Sequence, residues 1–495
     1  MNYGVCEKCR ARVPVEHVIR DGQVYLARTC PTCGYSEAVV SNDADAWQAK
    51  RRLARFDPAR VPACSLTCDT CFAHGSPRMV FLDVTNRCNM NCPICVANVP
   101  SMRFEFYPPR QYFERIFKGL SQWEPKPVVH FFGGEPTCRD DLFELIDLGR
   151  SFGLTIFVVT NGLKLADEDY CRRLCEKDVP ILLGFDGRAP EIYAGMRKNT
   201  SVAAKKIQAL ENMRRFSKRR QNIIMCCCAR GINDRHMADT IAFCHEHRSH
   251  LKGLYLLPLT ETWDNDRYET TAVTTIEDVE QMVDAALDEP VEFLPLGMQN
   301  EFTGILSSVG AGHRETFQSV HPNCESATLL ISDGERYRPV SHFLKRPLAE
   351  AARDALDVAE TLGERPGRLR ALRAMNGWWH RSCDTRRVMQ GSPKLALLRL
   401  FTGLLAGKPL ADQLRAHTHL RDPLRVIVLP FEETHSLESA RLVRCASGFA
   451  YEDVDTGEVR SIPACSWWLY NVPILKAIQA KYDALAAEAP SGEQS

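Results

Sequence analysis

Ten of the 21 cysteines in this chain lie before residue 96, and they fall into three spaced groups. Cys6-x2-Cys9 and Cys30-x2-Cys33 make a four-sulfur set suited to one tetrahedral ion, and zinc and rubredoxin-type iron both favour four thiolates. Cys88-x3-Cys92-x2-Cys95 is a set of three. Thiolates at that spacing can turn inward from one compact loop and hold three corners of a [4Fe–4S] cubane. The fourth iron then stays open to an outside molecule that chelates through an amine and a carboxylate. Cys64-x3-Cys68-x2-Cys71 repeats the spacing and is read as an auxiliary-cluster set. Its fourth position falls to a residue from elsewhere or to a substrate, with Cys324, Cys383, Cys445 and Cys465 as candidates. Cys445 and Cys465 flank a predicted hairpin that could bring them together, with Cys324, as a third cluster site. The run Cys226-Cys227-Cys228 is read as packing, because successive strand residues point to opposite faces and three in a row cannot hold one cluster.

The elements that must position these residues show a regular alternation. Apolar runs at 79–85, 128–134, 155–162, 181–187, 222–231 and 251–259 are separated by helical-period stretches at roughly 110–121, 141–152, 166–177, 201–217 and 236–248. Continuous apolar strands between amphipathic helices predict a parallel sheet covered by helices. Six such units make an α/β fold of partial (β/α)6 TIM-type barrel rather than the closed eightfold form. Motif residues recur at the C-terminal ends of the strands, the rim where parallel α/β folds bind ligands. These are Cys88 to Cys95, Gly133-Gly134-Glu135-Pro136-Thr137, Asn161-Gly162, Asp186-Gly187 and Gly231-Ile232-Asn233. The expected organisation is a small four-Cys metal domain at 1–45, an auxiliary-cluster segment at 46–76 and the barrel at 77–265. A substrate region with a helical insert follows at 266–422, then an α+β, strand-rich C-terminal extension with cluster ligands at 423–495.

Composition narrows the function classes. Apolar residues make up 45% and charged residues 25%, the balance of a globular protein with a real core. Lys plus Arg and Asp plus Glu number 62 each, so no net field points to nucleic acid. The opening MNYGVCEKCR carries no apolar h-region, and no run reaches the ~20 apolar residues that span a bilayer. A cytoplasmic location is expected. A secreted disulfide scaffold of this cysteine density would be short, so the thiols belong to metal chemistry.

With Gly133-Gly134-Glu135 at the second strand end, the three-cysteine loop after the first strand resembles the radical S-adenosylmethionine (SAM) superfamily. In that family a reduced cluster passes an electron to the SAM sulfonium, and the 5′-deoxyadenosyl radical so made abstracts hydrogen from an unactivated carbon. The resemblance implies Cys88, Cys92 and Cys95 as the catalytic cluster ligands. It places Gly133, Gly134, Glu135, Pro136 and Thr137 at the methionine end of SAM, with the Glu135 carboxylate accepting from its ammonium. Asn161 and Asp186 would lie by the ribose and sulfonium, Asn233 on the adenine-binding strand, and Ile94 against adenine. Over nearly the whole sequence, the order CPTCG, CSLTCDTC, FLDVTNRCNMNCPICVAN, HPNCESATLLISDGE and RCASGFAYEDVDTGEVRSIPAC is similar to the tetraether-lipid synthase family. Some members of that family are labelled pterin methyltransferases. Members combine a rubredoxin-like site, the SAM cluster and auxiliary [4Fe–4S] clusters, here one or two. An electron donor such as flavodoxin or ferredoxin is implied, as are a lipid substrate and a membrane-surface contact.

Coupling of lipid chains through a new C–C bond is chemically coherent with this reading. A terminal methyl has no acidic proton and no leaving group, so hydrogen-atom abstraction is what remains, in a site that excludes water. Two alternatives are modification of a small polar substrate such as a pterin, and a non-catalytic metal or electron-relay protein without a SAM-sized cavity. The apolar stretch 392–407 is read as a core-packing helix, with a hydrocarbon channel or a bilayer interface as the functional alternatives.

Overall fold

The structure is a computed structural model that describes residues 2–71, 77–262, 268–308, 320–364 and 366–488. It opens with an antiparallel sheet, β1 (Tyr3–Val5), β2 (Arg12–Arg20), β3 (Gln23–Cys30) and β4 (Gly34–Ser41), in that order. The alternation in β2 sets Val13 and Val15 inward, and Asp21-Gly22 turns the β2–β3 hairpin with φ of 53° and 77°. Two left-handed residues in a two-residue loop match the twist of the flanking strands, which is why Asp-Gly serves there. Helix α1 (Ala44–Leu53) is capped by the Asp43 side chain, which accepts from Ala46 N at 2.9 Å.

Two buried cations fasten this region to the rest of the protein. Arg28, 2% exposed, donates to Val5 O and Thr434 O at 2.9 and 3.2 Å and also to His435 O. Lys50 of α1 lies 2.8 Å from both Glu277 and Glu280 of the helix Ile276–Ala285. Coulomb attraction from the two carboxylates outweighs the desolvation of the lysine, and its ammonium stays charged.

The barrel strands are β5 (Met79–Thr85), β6 (Val128–Gly133), β7 (Thr155–Thr160), β8 (Ile181–Gly184), β9 (Asn222–Cys228) and β10 (Leu251–Pro258). They pair in parallel in sequence order. Near-continuous burial, as in MVFLDVT, reflects a sheet covered on both faces. The covering helices are α2 (Arg110–Ser121), α3 (Leu142–Ser151), α4 (Glu168–Glu176), α5 (Pro190–Met196), α6 (Val202–Phe216) and α7 (Met237–Glu246). Helix α2 buries Tyr112, Phe113, Ile116, Phe117 and Leu120, one stripe of a 3.6-residue period.

Beyond the barrel come β11 (Leu294–Pro295), β12 (Ser326–Ser332), β13 (Tyr337–Pro339), β14 (Arg421–Val428), β15 (Ser447–Glu452) and β16 (Val459–Pro463). Two of them extend the barrel sheet in parallel: β14 beside β10 and β15 beside β5. The described sheet runs β11-β12-β14-β10-β9-β8-β7-β6-β5-β15-β16, so the late strands continue both sides of the six-stranded core.

Several elements differ from the sequence reading. The helical insert is not continuous: Gly363, Pro366 and Gly367 separate the helices Leu348–Leu362 and Arg368–Ser382. The C-terminal extension is not strand-rich to its end but closes in the helix Trp467–Glu488. The apolar helix Pro393–Leu405 buries Ala396, Leu397, Leu400 and Leu404 against its neighbours and lines no part of the cysteine cavity described below, so it is no hydrocarbon channel there. Among the described residues no helix is long and apolar enough to cross a membrane. Part of the expected substrate region, 309–319, lies outside the described residues.

Candidate active site

The loop that carries Cys88, Cys92 and Cys95 is closed at its base. Asn86 Oδ1 accepts from Phe106 N at 2.8 Å, Asn86 Nδ2 donates to Phe104 O at 2.7 Å, and Thr85 Oγ1 donates to Phe106 O at 3.0 Å. The end of β6 presses on this base. Gly134 N donates to Thr85 O at 2.7 Å and Glu135 N to Arg87 O at 2.8 Å. A Cβ on Gly133 would fall onto Thr85 O, and one on Gly134 onto Arg87 O. The two glycines therefore serve a backbone–backbone approach to the cysteine loop, as well as lining the cavity.

The three cysteines open into one cavity of about 210 Å³ at the C-terminal ends of the barrel strands. Among the described residues the three sulfurs are not part of a tight ligand set around one point. Met90 N donates to Cys88 Sγ at 3.4 Å, and the amides of Ala97 and Val99 face the Cys95 sulfur. Amide donors at thiolates are one of the controls a protein has over an iron–sulfur centre. Without a cation, desolvation pushes the Cys88 thiol up to about 12 and also raises Cys95, so a bound metal is what makes the thiolates favourable here. The residues present fit a [4Fe–4S] cluster.

Of the residues expected to bind SAM, Ile94, Gly133, Gly134, Glu135, Pro136 and Asn161 line this cavity. Thr137, Asp186 and Asn233 do not, and each stands one layer behind the wall. Thr137 donates to Glu135 Oε1 through N (3.1 Å) and Oγ1 (2.7 Å). Thr160 Oγ1 adds a 2.6 Å bond to the same oxygen, and Asn161 N donates to Oε2 at 2.7 Å. A carboxylate offers about four lone-pair sites. Glu135 thus works mainly as a brace between the ends of β6 and β7, with one site left on Oε2. Asn233 Nδ2 donates to Cys227 O at 2.8 Å and Asp186 O at 3.2 Å, clamping two strand ends.

Asp186 orients Arg197, which was not anticipated from the sequence. Arg197 donates from Nε and Nη2 to the two carboxylate oxygens at 2.9 and 3.1 Å and lines the cavity itself. Burial pushes Asp186 up, but the Arg197 charge and hydrogen bonds, with Lys206, outweigh it and hold the carboxyl below its ordinary range. Lys206, 2% exposed, also lines the cavity and donates to Asn161 O at 2.7 Å and to Gly184 O. Burial brings its ammonium down to about 8. Arg197 and Lys206 place positive charge beside Cys92, where thiolates and a chelating carboxylate would concentrate negative charge. In the Cys226-Cys227-Cys228 run, Cys226 and Cys228 are buried in the core, while Cys227 lines the cavity.

The four N-terminal sulfurs, Cys6, Cys9, Cys30 and Cys33, lie within 4.8 Å of one another, a spacing for one ion. Amides of Cys9 and Lys8 donate to Cys6 and hold its thiol down to about 6. The geometry suits tetrahedral zinc or iron. Cys30→Ser is expected to lose one metal per molecule, with far-UV helical signal unchanged and early protease cleavage confined to β1–β4, as read by metal analysis and limited proteolysis.

Cys64, Cys68 and Cys71 sit near one another, and burial raises Cys64 and pushes Cys68 up to about 11. Cys64 and Cys465 share one apolar cluster. Cys324, Cys445 and Cys465 line a second cavity that shares Met225, Leu257 and Phe431 with the first. Cys383 lies apart from these, at the end of the helix Arg368–Ser382 where it bridges Leu344.

Comparison with known proteins agrees with this geometry. Residues 3–42 match the HMPTM N-terminal zinc ribbon domain. A 7,8-dihydro-6-hydroxymethylpterin dimethyltransferase of Methanocaldococcus jannaschii is 24% identical over 97% of this chain and 94% of its own length. A PqqA peptide cyclase of Streptomyces rochei is 32% identical over 26% of this chain, which spans 36% of that cyclase. The solved structure of native anSMEcpe with bound AdoMet covers 49% of this chain and 69% of its own, with 18% identity and a TM-score of 0.37. Residues 82–244, from β5 to α7, match the radical SAM superfamily. With three loop cysteines on a cavity at the barrel rim, residues 82–244 form a radical SAM domain.

Proposed function

We propose that this radical SAM enzyme abstracts hydrogen from an unactivated carbon of a lipid chain and joins that carbon to another. The carrying observation is the cavity wall, where Phe132, Val159, Met225, Leu257, Leu259 and Phe431 present apolar side chains. When bound, the cluster and SAM supply reductive C–S cleavage and the hydrogen-abstracting power that goes with it. The protein's own residues do the rest. Arg197 and Lys206 offset charge near Cys92, the last site on Glu135 Oε2 accepts the SAM ammonium, and Ile94 packs against adenine. The apolar wall keeps water from the reacting carbon. The exposed Leu395, Leu398 and Leu405 give an apolar face for contact with a lipid surface, and a flavodoxin or ferredoxin would supply electrons.

A second reading is methylation of a pterin, favoured by the Methanocaldococcus relative that matches nearly end to end. A pterin site needs free donors and acceptors for the ring, whereas Glu135, Thr160, Asn161, Arg197, Lys206 and Thr260 in this lining already bond within the protein. Reconstituted enzyme with SAM and dithionite should transfer deuterium from a deuterated lipid tail into 5′-deoxyadenosine, by mass spectrometry. A methylated 7,8-dihydro-6-hydroxymethylpterin, with no label transfer from lipid, would overturn the lipid reading.

A further inference from the structure

The second cavity holds a buried carboxylate with few polar partners for its two oxygens. Glu432, 1% exposed, follows β14 and faces the same space as Cys324, Cys445 and Cys465. Its carboxylate oxygens meet little close polar contact: Arg441 Nε stands 3.1 Å from Oε1 as an ion pair, and the Glu438 amide faces the carboxylate without close hydrogen-bond geometry. The same nitrogen donates to Cys324 Sγ at 3.2 Å. One guanidinium thus gathers a sulfur and a carboxylate around a common point. Phe431, Leu442 and Ala464 in the neighbouring walls present only hydrocarbon side chains.

Burying a carboxylate this way is costly unless further positive charge meets it. Three thiolates supply three corners of a cubane, and a cubane has a fourth iron. Carboxylate oxygen is a competent iron ligand. We propose that Glu432 is the fourth ligand of an iron–sulfur cluster held by Cys324, Cys445 and Cys465, which rests on reading those three cysteines as cluster ligands. Arg441 then balances the anionic ligand set from outside. Glu325 also reaches this cavity with an unpartnered oxygen, but it is the more exposed of the two, and no hydrogen bond or ion pair ties it to Arg441.

The test uses the full-length protein, reconstituted anaerobically, with iron and sulfide counted and the oxidised protein examined by electron paramagnetic resonance. Glu432→Gln keeps the shape but is a poor ligand. It should lose about one iron per molecule and show the paramagnetic signal of a three-iron cluster, while Glu432→Cys restores the iron. Full iron content and no three-iron signal in Glu432→Gln would overturn the assignment, as would a three-iron signal from Glu325→Gln alone. Cys445→Ser separates the two levels: unchanged iron and sulfide in that variant would remove the cluster itself. Circular dichroism confirms that each variant is folded.

Discussion

Gly134→Ala is expected to abolish SAM cleavage while leaving the N-terminal metal in place. The added methyl has no space, because it lands on the carbonyl of Arg87 and the backbone of Asn86. Backbone cannot rotate away as a side chain can, so the cysteine loop must shift. A 1 Å displacement of reacting groups can cost about 10²-fold in rate, and loss of the cluster would cost more. Formation of 5′-deoxyadenosine should fall by at least about 100-fold. Iron bound by the catalytic loop should fall with it, and the four-Cys metal should remain. A variant with full cluster content and near-normal cleavage would show that the loop does not depend on this contact.

Arg197→Ala is the second large effect. It leaves Asp186 ionised, 1% exposed and without its bidentate partner. Breaking a buried pair from one side costs about 3–5 kcal/mol. The pH dependence carries the diagnostic sign. In the wild type Asp186 is held below its ordinary value, so its contribution is present above the unfolded carboxyl range, near ~3.9, and is lost as acid protonates the folded state. In the variant the Arg197 charge and hydrogen bonds are gone, while Lys206 and the Cys227 amide still oppose burial, so the folded carboxyl moves up toward its unfolded value. The stability that wild type loses in acid is then already missing, and the deficit against wild type should shrink as pH falls below about 4. Denaturant titrations of the metal-free protein at about pH 3 and 7 measure this. Asp186→Asn with Arg197→Met should recover much of the stability, because neither charge is then stranded, but not SAM binding. An equal deficit at both pH values would place the Arg197 effect elsewhere.

How much of this was visible in residues alone depends on the range of the interaction. The strand runs, the helix periods and the cysteine spacings are local patterns, and β5 and α2 fall at the residues their apolar periods mark. Lys206 was visible in principle. It stands on the buried stripe of α6 with Val202, Ala209, Leu210 and Met213, where a lysine has no reason to be unless something polar meets it. Arg197 follows a short helix with no such pattern, and its partner Asp186 is eleven residues away. The placing of Thr137, Asp186 and Asn233 behind the wall turns on which lone pairs neighbouring strands consume, and spacing carries no trace of that. The parallel docking of β14 and β15 joins residues more than 150 positions apart, beyond any local period.

That docking bears on how the protein can be divided. Parallel strands stripped of a neighbour present rows of bare amides and carbonyls that invite association with other molecules. Cutting the gene after the last barrel strand would bare β5 and β10 at once, since residues from a single distal stretch, 421–452, cover both. The catalytic half is therefore not a detachable module. Any fragment made for purification has to keep residues 421–452.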